Sequence, residues 1–149
     1  MKVFLDTNVL LEYLMQREQV DVVEQLMDIF QRTDDEKYMS SGGFYSILYV
    51  MDNYFRKHLE IKNPDRTSAI RAIAKQLLEN FHVAEHDNNS LLDGISNELF
   101  DDLEDSCQYH VALKMGCKYF LTFNTKHYPK ESNDMKVLTP NDFVSLILR

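Results

Sequence analysis

Short apolar segments of strand length alternate with helical patterns along this chain, and that alternation limits its possible folds more than any other feature. Segments 2–6 (KVFLD), 37–41 (KYMSS), 81–85 (FHVAE), 118–123 (KYFLTF) and 136–138 (KVL) suit buried strands. Between and after them, helical periodicity covers 9–16, 20–32, 44–59, 64–80, 90–100, 102–115 and 141–148. Strand followed by helix implies βαβ units, hence a parallel sheet covered on both faces. We therefore expect a three-layer α/β/α sandwich of Rossmann-like type, with a mainly parallel sheet of four to five strands.

The boundary signals agree. Pro64 suits a first helical turn, Ser90 precedes Leu91-Leu92, and Thr139-Pro140-Asn141-Asp142 opens the last helix. Gly116 ends the helix before it. Gly42-Gly43, after the second strand, suggests a tight strand-to-helix turn with positive φ or close backbone approach. The chain has no repeat or Gly/Ser linker, and at 149 residues it has the length of one domain spanning 1–149.

Charge narrows the functional classes. Sixteen Lys and Arg face 24 Asp and Glu, a net charge of −8, so affinity for nucleic acid through a broadly basic surface is excluded. A nucleic-acid role then needs a metal or a local patch. Cys107 and Cys117 are too few for a disulfide framework and lack Cys-x-x-Cys spacing. The opening run before Asp6 is too short for a signal peptide, and no stretch approaches the ~20 apolar residues of a membrane helix. These features point to a reduced, cytoplasmic protein with no membrane partner.

In an open parallel sheet, ligands bind beyond the carboxyl ends of the strands. Asp6-Thr7-Asn8 follows the first strand there; the ordinary role of such a triplet is a helix N-cap, the alternative a catalytic aspartate. Thr122-Phe123-Asn124-Thr125-Lys126 follows the fourth strand. The strongest local feature is 98–105, with five acids in eight residues. Acids in a first helical turn commonly do no more than complement the macrodipole. Asp102 and Asp105, however, are three apart and share a helix face that can meet Asp6, whereas Asp101 and Glu104 point elsewhere. Carboxylates gathered in this way need a cation, and oxygen ligands suit Mg²⁺ or Mn²⁺ better than zinc. The chemistry implied is metal-assisted attack of water on a phosphodiester.

Other chemistries lack support. His58, His82, His86, His110 and His127 show no zinc-ligand spacing, and His110 suits a packed or hydrogen-bonded helical position. There is no Gly-x-Gly-x-x-Gly, P-loop or Gly-x-Ser-x-Gly motif, and Cys107 near His110 suits a buried helix residue better than a nucleophile.

Asp6-Thr7-Asn8 at the end of a strand, Asp102-Leu103-Glu104-Asp105 before a small-residue helix, Leu121-Thr122-Phe123-Asn124, and Leu138-Thr139-Pro140-Asn141-Asp142-Phe143 together resemble the PIN domain. That family includes Mg²⁺-dependent ribonucleases, among them VapC-type toxins of bacterial toxin–antitoxin pairs. The resemblance spans nearly the whole chain and implies a PIN-like sandwich. It implies Asp6 as the first acid of the family site and Asp105 as the third, with Asp102 an additional or substitute ligand. The other two acid positions depart from the pattern: the helix after strand two has Tyr45-Ser46 where a Glu is expected, and Asn124 stands at the fourth. The implied catalytic set is therefore Asp6, Asp102, Asp105 and Asn124, and the metal ligands are Asp6, Asp102 and Asp105. One Mg²⁺ or Mn²⁺ ion then remains, and Ser46 and Asn124 argue against a second, tightly held one.

Substrate positioning falls to Thr7, Asn8, Ser46, Thr122 and Lys126, with Lys126 placed to touch a phosphate; Arg17, Arg56, Lys57, Lys62 and Lys130 are scattered surface charges. The aromatic run Phe44-Tyr45, Tyr49, Tyr54-Phe55 has approximately helical spacing and suits core or a dimer face. By resemblance the partners are RNA, an antitoxin protein and a second copy of the chain. Two further readings remain open: a degenerate PIN fold that binds RNA or protein without cutting, and a receiver- or phosphatase-like domain phosphorylated on Asp6. Asn8, where haloacid-type phosphatases need a second Asp, opposes the last.

Overall fold

The computed structural model describes residues 1–129 and 134–148. Five strands, β1 (Lys2–Leu5), β2 (Glu36–Ser40), β3 (His82–Ala84), β4 (Tyr119–Leu121) and β5 (Lys136–Leu138), form one sheet. Its order is β3-β2-β1-β4-β5, and every pairing is parallel. Among the described residues, seven α-helices connect or flank them: α1 (Thr7–Leu14), α2 (Val20–Arg32), α3 (Ser41–Lys57), α4 (Asp65–Asn80), α5 (Asn88–Ser96), α6 (Leu103–Lys114) and α7 (Pro140–Ile147). The expected parallel α/β/α sandwich is the observed architecture.

Strand alternation divides the core in two. Val3 and Leu5 of β1, Met39 of β2, and Tyr119 and Leu121 of β4 face one layer, where they pack with α1, α2, α3 and α7 through Leu10, Leu26, Ile47 and Phe143. Phe4, Tyr38 and Phe120 face the other, with Tyr109, Val111 and Ala112 of α6 and with Tyr128. Phe4 and Phe120 stack across β1 and β4 at 4.9 Å. α5 lies against α6 with little clearance, since a Cβ on Gly94 would approach Cys107 Cα to 2.8 Å, and Ser106 Oγ donates to the Gly94 carbonyl at 2.6 Å.

The helix ends refine the sequence expectations. Thr139 caps α7 by accepting the Asp142 N–H, Pro140 begins the helix, and Gly116 takes φ +76° just past α6. Helix α5 starts before Ser90: Asp87 is its cap, and Ser90 is the N3 partner of a capping box. It ends at Ser96, so Glu98 and Asp101 belong to a connection, not a helix. Gly42 and Gly43 form the first turn of α3 with no positive φ; close approach is what Gly43 provides, since a Cβ there would lie 2.6 Å from Thr7 Oγ1. Of the aromatic run, Phe44 and Phe55 pack on the core, whereas Tyr45 and Tyr49 are exposed.

The strand order reverses at β1: β2 lies on one side of it and β4 on the other. The crevice expected at such a switch point opens beyond Leu5 and Leu121, where Asp6 and Thr122 stand. Lys130 lies outside the described residues. Among the described residues, no helix is long and apolar enough to cross a membrane.

Candidate active site at the carboxyl ends of the central strands

Asp6 continues β1 into the crevice, its N–H donating to the Leu121 carbonyl at 2.9 Å. It is 2% exposed and occupies the N-cap position of α1, yet its side chain makes no cap hydrogen bond. Its Oδ2 instead accepts from Thr122 Oγ1 at 2.8 Å, across the switch point. Burial pushes this carboxyl up to about 6. The Thr122 hydroxyl counters that shift, the negative charge of Asp105 adds to it, and the Thr7 N–H and Gln108 side chain oppose it. A buried acid whose proton affinity is raised further by a second acid's charge is an arrangement that a cation relieves.

Asp105 comes from the first turn of α6 and is half-buried. Burial raises its pKa, the charge of Asp102 raises it further, and His127 and Tyr128 hold it down. His127 Nδ1 lies 3.2 Å from Asp105 Oδ2. Asp102 does not share a helix face with Asp105. It precedes α6 in an extended conformation (φ −95°, ψ 113°) and caps the helix, its Oδ1 accepting the Asp105 N–H at 3.0 Å. An aspartate in front of an apolar helical run finds this bond locally, which is why three-residue spacing alone misplaced it.

The remaining candidates are distributed around this pair. Thr7 is buried and donates from Oγ1 to Gln108 Oε1 at 3.3 Å. Asn8 is exposed one residue further along α1. Asn124 is exposed and opens a 3-10 turn, Thr125–His127; its N–H donates to Thr122 Oγ1 at 3.1 Å. Lys126 lies exposed on that turn. Ser46 lies in a neighbouring cavity of about 250 Å³, with Gly43, His86, Glu104 and Gln108 among its lining. Ser40 caps α3 by accepting the Gly43 N–H at 2.9 Å. The N-termini of α1 and α3 are thus drawn together at Thr7 and Gly43, with Gln108 of α6 against them, and helix N-termini favour anions.

Sequence reasoning missed Gln108, His127 and Tyr128. Gln108 lies three residues after Asp105 on α6, so helical spacing from that acid would have found it. His127 and Tyr128 follow Asn124 closely at the carboxyl end of β4, where position alone was the available signal. His110, expected to be packed or hydrogen-bonded, lies with Nε2 3.0 Å from Asn97 Nδ2.

Whether these residues suit a metal can be judged from the donors. Among the described residues, no group of three or more His, Cys, Asp or Glu side chains is arranged to hold an ion. The pair Asp6 and Asp105 is all-oxygen and mutually repelling. Mg²⁺ keeps most of its water and is commonly held by one or two carboxylates plus substrate phosphate, so the pair suits a single, hydrated Mg²⁺ or Mn²⁺. A closed three-carboxylate cage is not formed by the described residues.

Comparison with known proteins follows the same lines. A toxin–antitoxin complex from Klebsiella pneumoniae superposes with a TM-score of 0.66 at 14% identity, over 93% of this chain and 97% of that one. VapBC2 from Rickettsia felis, bound to a promoter DNA fragment, gives 0.65 at 12% identity, over 93% and 98%. VapBC-1 from nontypeable Haemophilus influenzae gives 0.65 at 20% identity, over 95% and 99%. At these identities the likeness is one of fold. No curated protein matches the sequence. A family model described as PIN domain matches residues 2–126, from the first strand through the turn that carries Lys126. With an aspartate ending β1 at the switch point of a parallel sheet and a second opening α6 beside it, the chain belongs to the PIN domain family.

Proposed function

We propose that the chain is a divalent-cation-dependent endoribonuclease, a single PIN domain over 1–149, acting in the cytoplasm as the toxin of a toxin–antitoxin pair. The observation that carries this reading is the buried Asp6, withheld from capping α1 and raised by burial and by the charge of Asp105. Asp6 and Asp105 would hold one Mg²⁺ or Mn²⁺, which when bound supplies an activated water and neutralises charge developing on a phosphodiester.

The chain's own residues do the rest. Thr122 fixes one oxygen of Asp6, and Gln108 links Asp6 to Thr7. Asp102 starts α6 so that Asp105 is presented at its first turn, and its charge strengthens the demand for a cation. The N–H groups at the starts of α1 and α3 offer partners to a phosphate, while Asn124, Lys126 and Asn8, all exposed, are placed to meet the RNA backbone. Ser46, in the adjoining cavity, positions a neighbouring part of the strand. The similar complexes pair toxin with antitoxin, and a chain of net charge −8 suits a basic peptide partner. A second copy completes the assembly.

The test is cleavage of structured and single-stranded RNA with Mg²⁺ or Mn²⁺, wild type against Asp6→Asn. Loss of cleavage in the variant supports the reading, and indistinguishable activities refute it. Ser46 and Asn124 in place of acids, and the lack of a three-acid group among the described residues, favour one second reading: a PIN fold that binds RNA or a protein without cutting. RNA binding with no cleavage by wild type in either metal would select it.

A further inference from the structure

Tyr128 carries a feature that packing does not explain. Its ring is fixed in the aromatic cluster beneath α6, 4.8 Å from Phe120, 5.5 Å and edge-on to Phe100, and 6.1 Å from Tyr109. The residue is 4% exposed, and its buried hydroxyl has no hydrogen-bond partner among the described residues. Buried tyrosine hydroxyls ordinarily find one, because leaving water without a replacement bond is costly. Phenylalanine would fill the same space without that cost.

The surroundings indicate what the hydroxyl is for. It lies close enough to the Asp105 carboxylate to favour that group's ionised form, without a hydrogen bond of normal geometry, and within the field of Asp6 and Asp102. The preceding residue, His127, already engages Asp105 Oδ2 at 3.2 Å. Two consecutive side chains from the β4–β5 connection therefore flank one acid of the pair, and only the exposed one reaches it at hydrogen-bond distance.

We propose that Tyr128 is a positioning residue for Asp105: when that carboxylate turns toward Asp6 to share a divalent cation, it accepts from the Tyr128 hydroxyl the well-formed hydrogen bond that the free protein does not make. This rests on the reading of Asp6 and Asp105 as the metal pair. Carboxylates that bind metals are commonly held by such outer hydrogen bonds, whose loss weakens metal affinity about 10–100-fold.

The experiment titrates wild type, Tyr128→Phe and Asp6→Asn with MnCl₂ by calorimetry, and melts each protein without metal. We expect Tyr128→Phe to melt no lower than wild type and to bind Mn²⁺ about tenfold or more weakly. Wild-type binding that is lost in Asp6→Asn but unchanged in Tyr128→Phe overturns the inference and leaves the metal site standing. A marked fall in the metal-free melting temperature of Tyr128→Phe makes the hydroxyl part of the fold and also overturns it. Absence of binding by wild type removes the metal site and the inference together.

Discussion

The starts of α1 and α6 each place an aspartate in extended conformation immediately before the helix, and the two carboxylates are used in opposite ways. Asp102 is exposed and spends its oxygen on the Asp105 N–H, as an aspartate at a helix start ordinarily does. Asp6 is buried, leaves its cap unmade, and turns to Thr122 on the neighbouring strand. The same residue type at the same local position is a structural cap in one case and, in the other, an acid whose ionised form burial disfavours. What separates them is the switch point: Asp6 stands buried at the carboxyl end of β1, between β2 and β4, whereas Asp102 is exposed at the start of its helix.

The largest expected consequence of that difference is catalytic. Asp6→Asn should reduce RNA cleavage at least about a hundredfold, because charge stabilisation by a metal is worth several kcal/mol. Asp102→Ala should reduce it less, and equal losses in the same cleavage assay would erase the contrast.

The next is a stability effect with a definite sign. Asp6 has its folded pKa raised from 3.8 to about 6, so its contribution is full below the unfolded value and is lost as pH rises through the folded one. The metal-free wild type should therefore lose stability from about pH 4 to pH 7 relative to Asp6→Asn. At pH 7.5 the asparagine variant should be the more stable by up to about 3 kcal/mol, measured by urea unfolding. A variant less stable than wild type at that pH would show that the carboxylate is not strained.

Gly43→Ala sharpens the comparison from the α1 side, since the added Cβ would lie 2.6 Å from Thr7 Oγ1. It should cost about 1–3 kcal/mol in the same unfolding assay, as overpacking of a tight contact does. The smallest effect belongs to the exposed cap. Asp102→Ala should cost about 1 kcal/mol, and Asp102→Asn, which keeps an acceptor, much less.

Much of the fold is legible in the order of its segments. KVFL and YFL are buried on both faces and form the middle of the sheet, and Thr139-Pro140 and Gly116 mark helix ends where local chemistry predicts them. The segment at Ser90 is less legible, because a serine suits both N-cap and N3, and only the reciprocal bonds with Asp87 decide between them. The site is legible where it depends on position along a strand, as for Asp6 and Thr122. It is less legible where it depends on contacts between distant segments: helical spacing from Asp105 points to Gln108 but not to its bond with Thr7, and Tyr128 approaches Asp105 through tertiary packing alone. Asp102 shows the converse, a residue whose spacing pointed to the site while a local bond holds it to the helix end.

The central claim is that Asp6 is an acid held at an unfavourable charge until a cation arrives. Carbon-13 NMR titration of its carboxyl carbon, with and without Mg²⁺, tests this directly. The account predicts a midpoint near 6 in the metal-free protein, falling by a unit or more at saturating Mg²⁺ as the cation favours the ionised form. A midpoint near the ordinary 3.8 that Mg²⁺ does not move would contradict it.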